Sequence, residues 1–263
     1  MRLVIHPDFE KASRWAAKYI AEKINAQSKD KPFVLGLPTG SSPLGIYNEF
    51  VKMHKDGNLT FKNVRTFNMD EYIGLPASHP QSYHYFMMNN LFNHIDIDRK
   101  HIHILDGMTK DLEKECELFE EAIAKEGGID LFLGGMGGDG HIAFNEPGSS
   151  LTSRTRMKTL TAESRLANAR FFDGNLEKMP TTALTVGVGT VMDAREVLLI
   201  VSGRAKARAL KAVIEEGINH MWTVSCLQMH PKAIIVCDDE ATEELKVGTV
   251  NYFKDLEKGN LEI

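Results

Sequence analysis

Leu131-Phe132-Leu133-Gly134-Gly135-Met136-Gly137-Gly138-Asp139-Gly140-His141-Ile142-Ala143-Phe144-Asn145-Glu146-Pro147 is the stretch on which the reading of this chain turns. An apolar run of strand length ends in five glycines within seven residues, and an aspartate, a histidine and a glutamate follow. Glycine admits backbone conformations closed to other residues and lets a ligand approach the chain closely. A strand that stops in such a loop, with Asp139, His141 and Glu146 beyond it, matches the carboxyl edge of an open α/β sheet, where ligands bind. From Gly135 to Gly140 the loop also satisfies G-x-G-x-x-G, but a dinucleotide site needs a helix running from the last glycine. The segment Ile142 to Gly148 is too short for that helix and is broken by Pro147. No HExxH or paired Cys/His spacing accompanies the three polar residues, so neither a metal nor a nucleotide cofactor is expected.

Outward from this centre the chain alternates apolar runs with helical spacing. Leu3-Val4-Ile5, Phe33 to Leu37, Val64 to Phe67, Ala183 to Gly189, Glu196 to Val201 and Ala233 to Cys237 read as strands, with His101 to Ile104 as a weaker one. Phe9–Ala26, Leu44–His54, Ser82–His94, Asp111–Lys125, Ser164–Phe172, the segment from Ser202-Gly203-Arg204-Ala205-Lys206 to Glu216, and the pattern through Leu245, Val247, Val250 and Phe253 read as helices. Solid apolar strands separated by helices are buried on both faces. The expectation is an α/β fold, an open, mostly parallel, doubly wound (Rossmann-like) sheet with helices on both faces, as a single domain over 1–263.

Four segments in this scheme can hold an anion or a proton. After Leu37, Pro38-Thr39-Gly40-Ser41-Ser42-Pro43 joins strand to helix, where free N–H groups and the positive end of the helix dipole converge; the bland alternative is a capped turn, with Ser42 as N-cap and Pro43 in the first helical position. It lacks the lysine of a P-loop, so a nucleoside triphosphate is not implied. After Phe67, Asn68-Met69-Asp70-Glu71-Tyr72 puts two acids at a strand end, either solvated charges or a base aimed into a cleft. Lys206, a cation in a first helical turn, opposes the helix dipole unless an anion faces it. Ser149 to Lys158, with three cations in five residues, reads as an exposed loop or a second anion site.

Composition narrows the function. Hydrophobic residues at 43% and charged residues at 25% are ordinary for a globular chain, and a net charge of -5 gives no reason to expect nucleic acid as a partner. The apolar run before Pro7 is too short for a signal peptide, and no segment reaches the roughly 18 apolar residues of a membrane span. A cytoplasmic protein is expected. Cys116, Cys226 and Cys237 match no zinc or redox spacing and read as reduced, buried thiols.

Leu37 to Pro43, Phe67 to Tyr72, Gly138 to Pro147 and Ser153-Arg154-Thr155-Arg156, taken together, closely resemble the glucosamine-6-phosphate deaminase family, in order and over essentially the whole chain. The related 6-phosphogluconolactonases share the Gly-x-Asp-Gly-His loop; Asn-Met-Asp-Glu-Tyr and Phe-Asn-Glu-Pro belong to the deaminases. The resemblance implies conversion of glucosamine 6-phosphate to fructose 6-phosphate and ammonia, in amino-sugar catabolism, without a cofactor. It implies Asp70 as the base that moves the C2 proton and His141 as the ring-opening group, with Asp139 and Glu146 orienting the imidazole and supporting its charged form. Gly40, Ser41, Ser42, Arg170 and Lys206 would hold the phosphate. Glu71 is expected to be structural and to point away. In hexameric bacterial members a site between subunits binds the activator N-acetylglucosamine 6-phosphate, and its residues correspond to Ser149, Arg156, Lys158, Thr159 and Tyr252; allosteric activation and a homohexamer are therefore expected. Two rivals remain: a lactone hydrolase of the same fold, and a non-catalytic sugar-phosphate-binding regulator, against which the lack of a basic helix-turn-helix before Leu3 or after Phe253 weighs.

Overall fold

A computed structural model describes residues 1–262 other than Lys29 and Asp173; the side chains of Glu163, Ala167, Arg170 and Phe171 are outside the described residues. In chain order the elements are β1 (Arg2–His6), α1 (Phe9–Ala26), β2 (Phe33–Leu37), α2 (Leu44–Lys55), β3 (Val64–Asn68), β4 (Asp70–Tyr72), α3 (Tyr83–Asn90), β5 (Ile102–His103), α4 (Leu112–Lys125) and β6 (Leu131–Gly135). There follow β7 (Arg156–Thr159), α5 (Ala162–Asn168), β8 (Thr182–Thr185), α6 (Val188–Met192), β9 (Glu196–Val201), α7 (Ala207–Glu215), β10 (Ala233–Asp238) and α8 (Val247–Leu256).

Seven strands form one sheet in the order β1-β10-β9-β6-β2-β3-β5, and every neighbouring pair is parallel. The apolar runs are solid because alternate side chains enter two different cores. In β9, Val197, Leu199 and Val201 pack with Phe119, Val191 and Leu210 on the face covered by α4, α6 and α7. Leu198 and Ile200 pack with Trp15, Ile20, Tyr47 and Phe50 on the face covered by α1 and α2. Burying a large aliphatic side chain contributes roughly 1.5 to 3 kcal/mol, so reversing this alternation by a one-residue slip would empty both cores. The strand order runs outward in one direction from β2 through β3 to β5, and in the other from β6 through β9 and β10 to β1. The switch point, where a crevice opens at the carboxyl ends, therefore lies between β2 and β6. The Pro38–Pro43 loop and the glycine loop stand on its two sides.

Five local expectations are corrected. Asp70–Tyr72 is a strand of a second sheet, β4-β8-β7, paired antiparallel throughout. Arg156–Thr159, read as loop, is β7; its residues are half-exposed or exposed, so no apolar alternation announces it. The strand over Ala183 to Gly189 stops at Thr185 and a helix starts at Val188, because Gly187 packs so closely that an added Cβ would lie 1.9 Å from the Ser153 carbonyl oxygen. The helix after the Pro38–Pro43 loop is capped by Pro43 with no side-chain hydrogen bond, so Ser42 is not its N-cap. The predicted helix over Ser82–His94 is likewise α3 plus a separate 3-10 turn at Phe92–His94.

The three cysteines are free and buried, and burial pushes the thiols of Cys116 and Cys226 up to about 11 and about 12. Of the paired histidines, His101 contacts the Arg65 guanidinium at 2.9 Å and His103 stacks on Phe67 at 4.3 Å between centroids. Among the described residues no helix is long and apolar enough to cross a membrane.

Candidate active site

Gly137 and Gly140 let the loop after β6 fold back on itself. Gly137 N–H donates to the His141 carbonyl at 2.9 Å and Gly140 N–H to the Gly137 carbonyl at 3.0 Å. A Cβ on Gly137 would stand 2.5 Å from Asp139 Oδ1 and from the His141 ring; Gly140 has φ +73° and the Trp222 ring where a side chain would go. Beyond them Ala143 has φ 52°, the only positive value at a non-glycine among the described residues. Such backbone persists only where its surroundings over-determine it. Here Thr223 accepts the Ile142 N–H and donates to the Asn145 carbonyl, Thr185 Oγ1 accepts the Phe144 N–H, and the Asn145 amide spans the Ile142 and Val186 carbonyls.

The result is an imidazole with a carboxylate beside it. His141 Nδ1 lies 2.7 Å from Asp139 Oδ1, and the same oxygen accepts the His141 N–H at 3.3 Å. Burial pushes the Asp139 carboxyl up, but the imidazole outweighs it and holds the group below the usual carboxylate value. Glu146 is a correction: it is 3% exposed and both its oxygens accept the Thr161 N–H, at 3.0 and 2.9 Å, and among the described residues it makes no hydrogen bond or ion pair with His141. Its carboxylate instead ties the glycine loop to the start of α5.

Asp70 reaches the same crevice from another direction. Met69 N–H donates to the Leu37 carbonyl in the main sheet and the Met69 carbonyl accepts from Val186 N–H, so the chain passes from one sheet to the other at this residue. The carboxylate that follows is 6% exposed, and Oδ1 meets no donor among the described residues. Burial first, and the neighbouring Glu71 second, push it well above the usual carboxylate range. A buried carboxylate lacking a donor is a proton acceptor in waiting.

A cavity of about 730 Å³ joins these groups, within the size range of small-molecule sites. Asp70, Asp139 and His141 line it together with Gly40, Ser41, Ser42 and Lys206. Glu146 does not line it, and the Arg170 side chain lies outside the described residues. Lys206 is carried on a turn fixed from below: the buried Asp238 accepts Gly203 N–H at 3.0 and 3.1 Å and takes a short hydrogen bond from the Ser202 hydroxyl. Sequence reasoning missed Tyr83, Ser164, Asn168 and Ser202, which also line the cleft. Their one signal was polarity at or beside apolar helix positions, too common to single them out.

Ser149, Arg156, Lys158, Thr159 and Tyr252 lie elsewhere. Arg156 and Lys158 share one side of β7 and Thr159 takes the other. Ser149 is buried with its hydroxyl unpartnered among the described residues, and Tyr252 is 60% exposed on α8, which packs near β1.

An imidazole–carboxylate pair and a second, buried carboxylate lining one switch-point cleft can serve as an acid–base site in an α/β enzyme. Residues 7–237 match the family of glucosamine-6-phosphate isomerases and 6-phosphogluconolactonase. The chain is similar to a glucosamine-6-phosphate deaminase of Treponema denticola, 64% identical over 264 residues that span 100% of this chain and 98% of that one. A deaminase of Phocaeicola vulgatus is 61% identical, over 99% of this chain and 100% of its own. Among solved structures, a monomeric glucosamine-6-phosphate deaminase superposes with a TM-score of 0.87 at 38% identity, over 92% of this chain and 98% of that one. The 6-phosphogluconolactonase of Trypanosoma cruzi, with a TM-score of 0.76 at 21% identity over 93% and 97% of the two chains, shares the fold. The chain belongs to the glucosamine-6-phosphate isomerase/6-phosphogluconolactonase family.

Proposed function

We propose that this enzyme converts glucosamine 6-phosphate and water to fructose 6-phosphate and ammonia. The observation that carries the reading is the shared cleft: Asp70 from the start of β4 and the Asp139–His141 pair from the glycine loop open onto one cavity that Lys206 also lines. The full-length relatives named as deaminases support the choice of substrate.

Opening the pyranose needs a proton to leave the anomeric hydroxyl and one to reach the ring oxygen. Imidazole suits that exchange near neutral pH, and the carboxylate of Asp139 holds its orientation. In the open chain Asp70 takes the proton from C2, leaving a C1–C2 enolamine, and returns it to C1. The resulting imine at C2 adds water and expels ammonia, leaving the ketose. The substrate's own ammonium group assists loss of the C2 proton. Gly40, Ser41, Ser42 and Lys206, joined by Arg170, hold the phosphate in this reading.

Ammonia release from glucosamine 6-phosphate, measured beside hydrolysis of 6-phosphogluconolactone, tests the assignment. Release of ammonia with equal fructose 6-phosphate is expected; turnover of the lactone alone would replace this reading by its rival.

The finer reading is of a cytoplasmic homohexamer in amino-sugar catabolism, activated by N-acetylglucosamine 6-phosphate through Ser149, Arg156, Lys158, Thr159 and Tyr252. Its support is the two cations on one side of β7, the unpartnered Ser149 hydroxyl, and the exposure of Tyr252 for a neighbouring subunit.

A further inference from the structure

The proposed reaction leaves one buried carboxylate beside the base without a task. Glu71 is 2% exposed, and its oxygens take three backbone donors: Oε1 from Tyr72 at 2.8 Å and Tyr83 at 2.9 Å, Oε2 from His84 at 2.8 Å. Tyr83 and His84 open α3, where N–H groups have no partner within the helix and the dipole favours a negative charge. The next N–H, of Tyr85, goes to the Ser82 hydroxyl at 3.0 Å. Three donors and no acceptor suit the ionised form, although burial pushes the group up.

The two elements that Glu71 joins each send a side chain to the cleft, Asp70 from β4 and Tyr83 from α3. The Tyr83 ring lies parallel to Phe144 at 6.2 Å, and its hydroxyl is 3.2 Å from that of Tyr72. Resting on the deaminase reading, we infer that Glu71 is a positioning residue of the reaction, a clamp that keeps Asp70 and Tyr83 in register across the substrate. Its charge has a second effect, because it stands next to a base that must ionise. Asp70 is faced by Glu71 and Tyr72 from β4, Tyr83 from α3 and Tyr47 from α2, and it shares the cleft with Asp139, His141 and Lys206. Glu71 itself is faced by Tyr72, Tyr83, His84 and Asp106. Among the described residues Glu71 is the carboxylate that pushes the base up, so its removal lets Asp70 ionise at lower pH.

The test is Glu71→Gln in the full chain. The amide keeps one oxygen for Tyr72 and Tyr83 but turns its NH₂ against the His84 N–H, donor to donor, and removes the charge. At neutral pH kcat is expected to fall at least about tenfold, the cost of a slightly misplaced base. KM stays near its original value because the phosphate is held elsewhere. The acid limb of kcat/KM moves down by at least about half a unit. Glu71→Asp, which keeps the charge, lowers kcat with a smaller displacement of the limb. A folded Gln variant with unaltered kcat, or one that loses stability or rate while its acid limb stays in place, overturns the inference. If the Gln variant does not fold, amide exchange in the unaltered enzyme decides: slow exchange at Tyr83 and His84 supports the clamp, and exchange as fast as at an open helix end overturns it. An unaltered enzyme that releases no ammonia fails the deaminase reading instead, so the two failures are distinct.

Discussion

In the proposed reaction Asp70 is the base, and keeping it buried weakens the fold at neutral pH. Its carboxylate is buried with Oδ1 unpartnered among the described residues, and burial pushes it well above the usual carboxylate range. An acid whose folded pKa exceeds its unfolded value stabilises the fold below the unfolded pKa and loses that contribution as pH rises through the folded one. Asp70→Asn is therefore expected to raise Tm at neutral pH, by about 2 to 4 °C for each kcal/mol relieved, with no gain below roughly pH 4. Thermal scans of both proteins across pH check this, and an Asn variant less stable at neutral pH would contradict it. The same sign governs activity, since the base must be ionised: kcat/KM falls as pH drops through the raised pKa. Lys206 is proposed to act differently, through binding. A charged hydrogen bond contributes roughly 1.5 to 3 kcal/mol, so Lys206→Ala is expected to raise KM by about 10- to 100-fold with the acid limb unmoved. An unchanged KM would remove it from the phosphate site.

At the scale of elements, the glycine loop and the small sheet make the cleft. Gly137→Ala puts a methyl 2.5 Å from both Asp139 and His141, so the pair must part. Activity is expected to fall about 100-fold, as for a displaced catalytic group, while thermal stability drops modestly. Equal activity would mean that the pair's geometry is not needed. The same elements mark what the sequence can reveal. Phe9–Ala26, Phe33–Leu37 and Glu196–Val201 occur with the bounds their spacing predicts, because burial on one or both faces writes a period into them. The strand Arg156–Thr159 has no such period, since it is held by backbone pairing to β8 and by Thr155 and Arg154 on the carboxylate of Glu120. Nor could spacing foretell that Glu146 would turn to Thr161 and leave His141 to Asp139. That choice is made by contacts between segments 15 residues apart. Asp70 was legible as an acid at a strand end, but its isolation in the cleft comes from the second sheet, which only tertiary pairing creates.

For the whole molecule, the switch point explains why residues far apart in sequence meet. β2 and β6 are adjacent and parallel, and the loops after β2, β3, β6 and β9 all end at the same edge of the sheet, which is where the cavity lies. A hexamer with a site between subunits predicts two measurements. Sedimentation of the purified protein should give six times the 29.4 kDa chain mass, and N-acetylglucosamine 6-phosphate should shift the velocity curve by preferring one state. A single-chain mass, as for the monomeric deaminase of similar structure, together with overlapping curves, would end the allosteric reading. The central claim is narrower: one carboxylate moves one proton on one face of an amino-sugar phosphate that His141 has opened. Glucosamine 6-phosphate deuterated at C2 tests it most directly, with the label followed into C1 of fructose 6-phosphate and into water. The unaltered enzyme is expected to carry part of the label to C1 and release the rest, and Asp70→Asn to do neither; undiminished loss of the C2 label in the Asn variant would contradict the account.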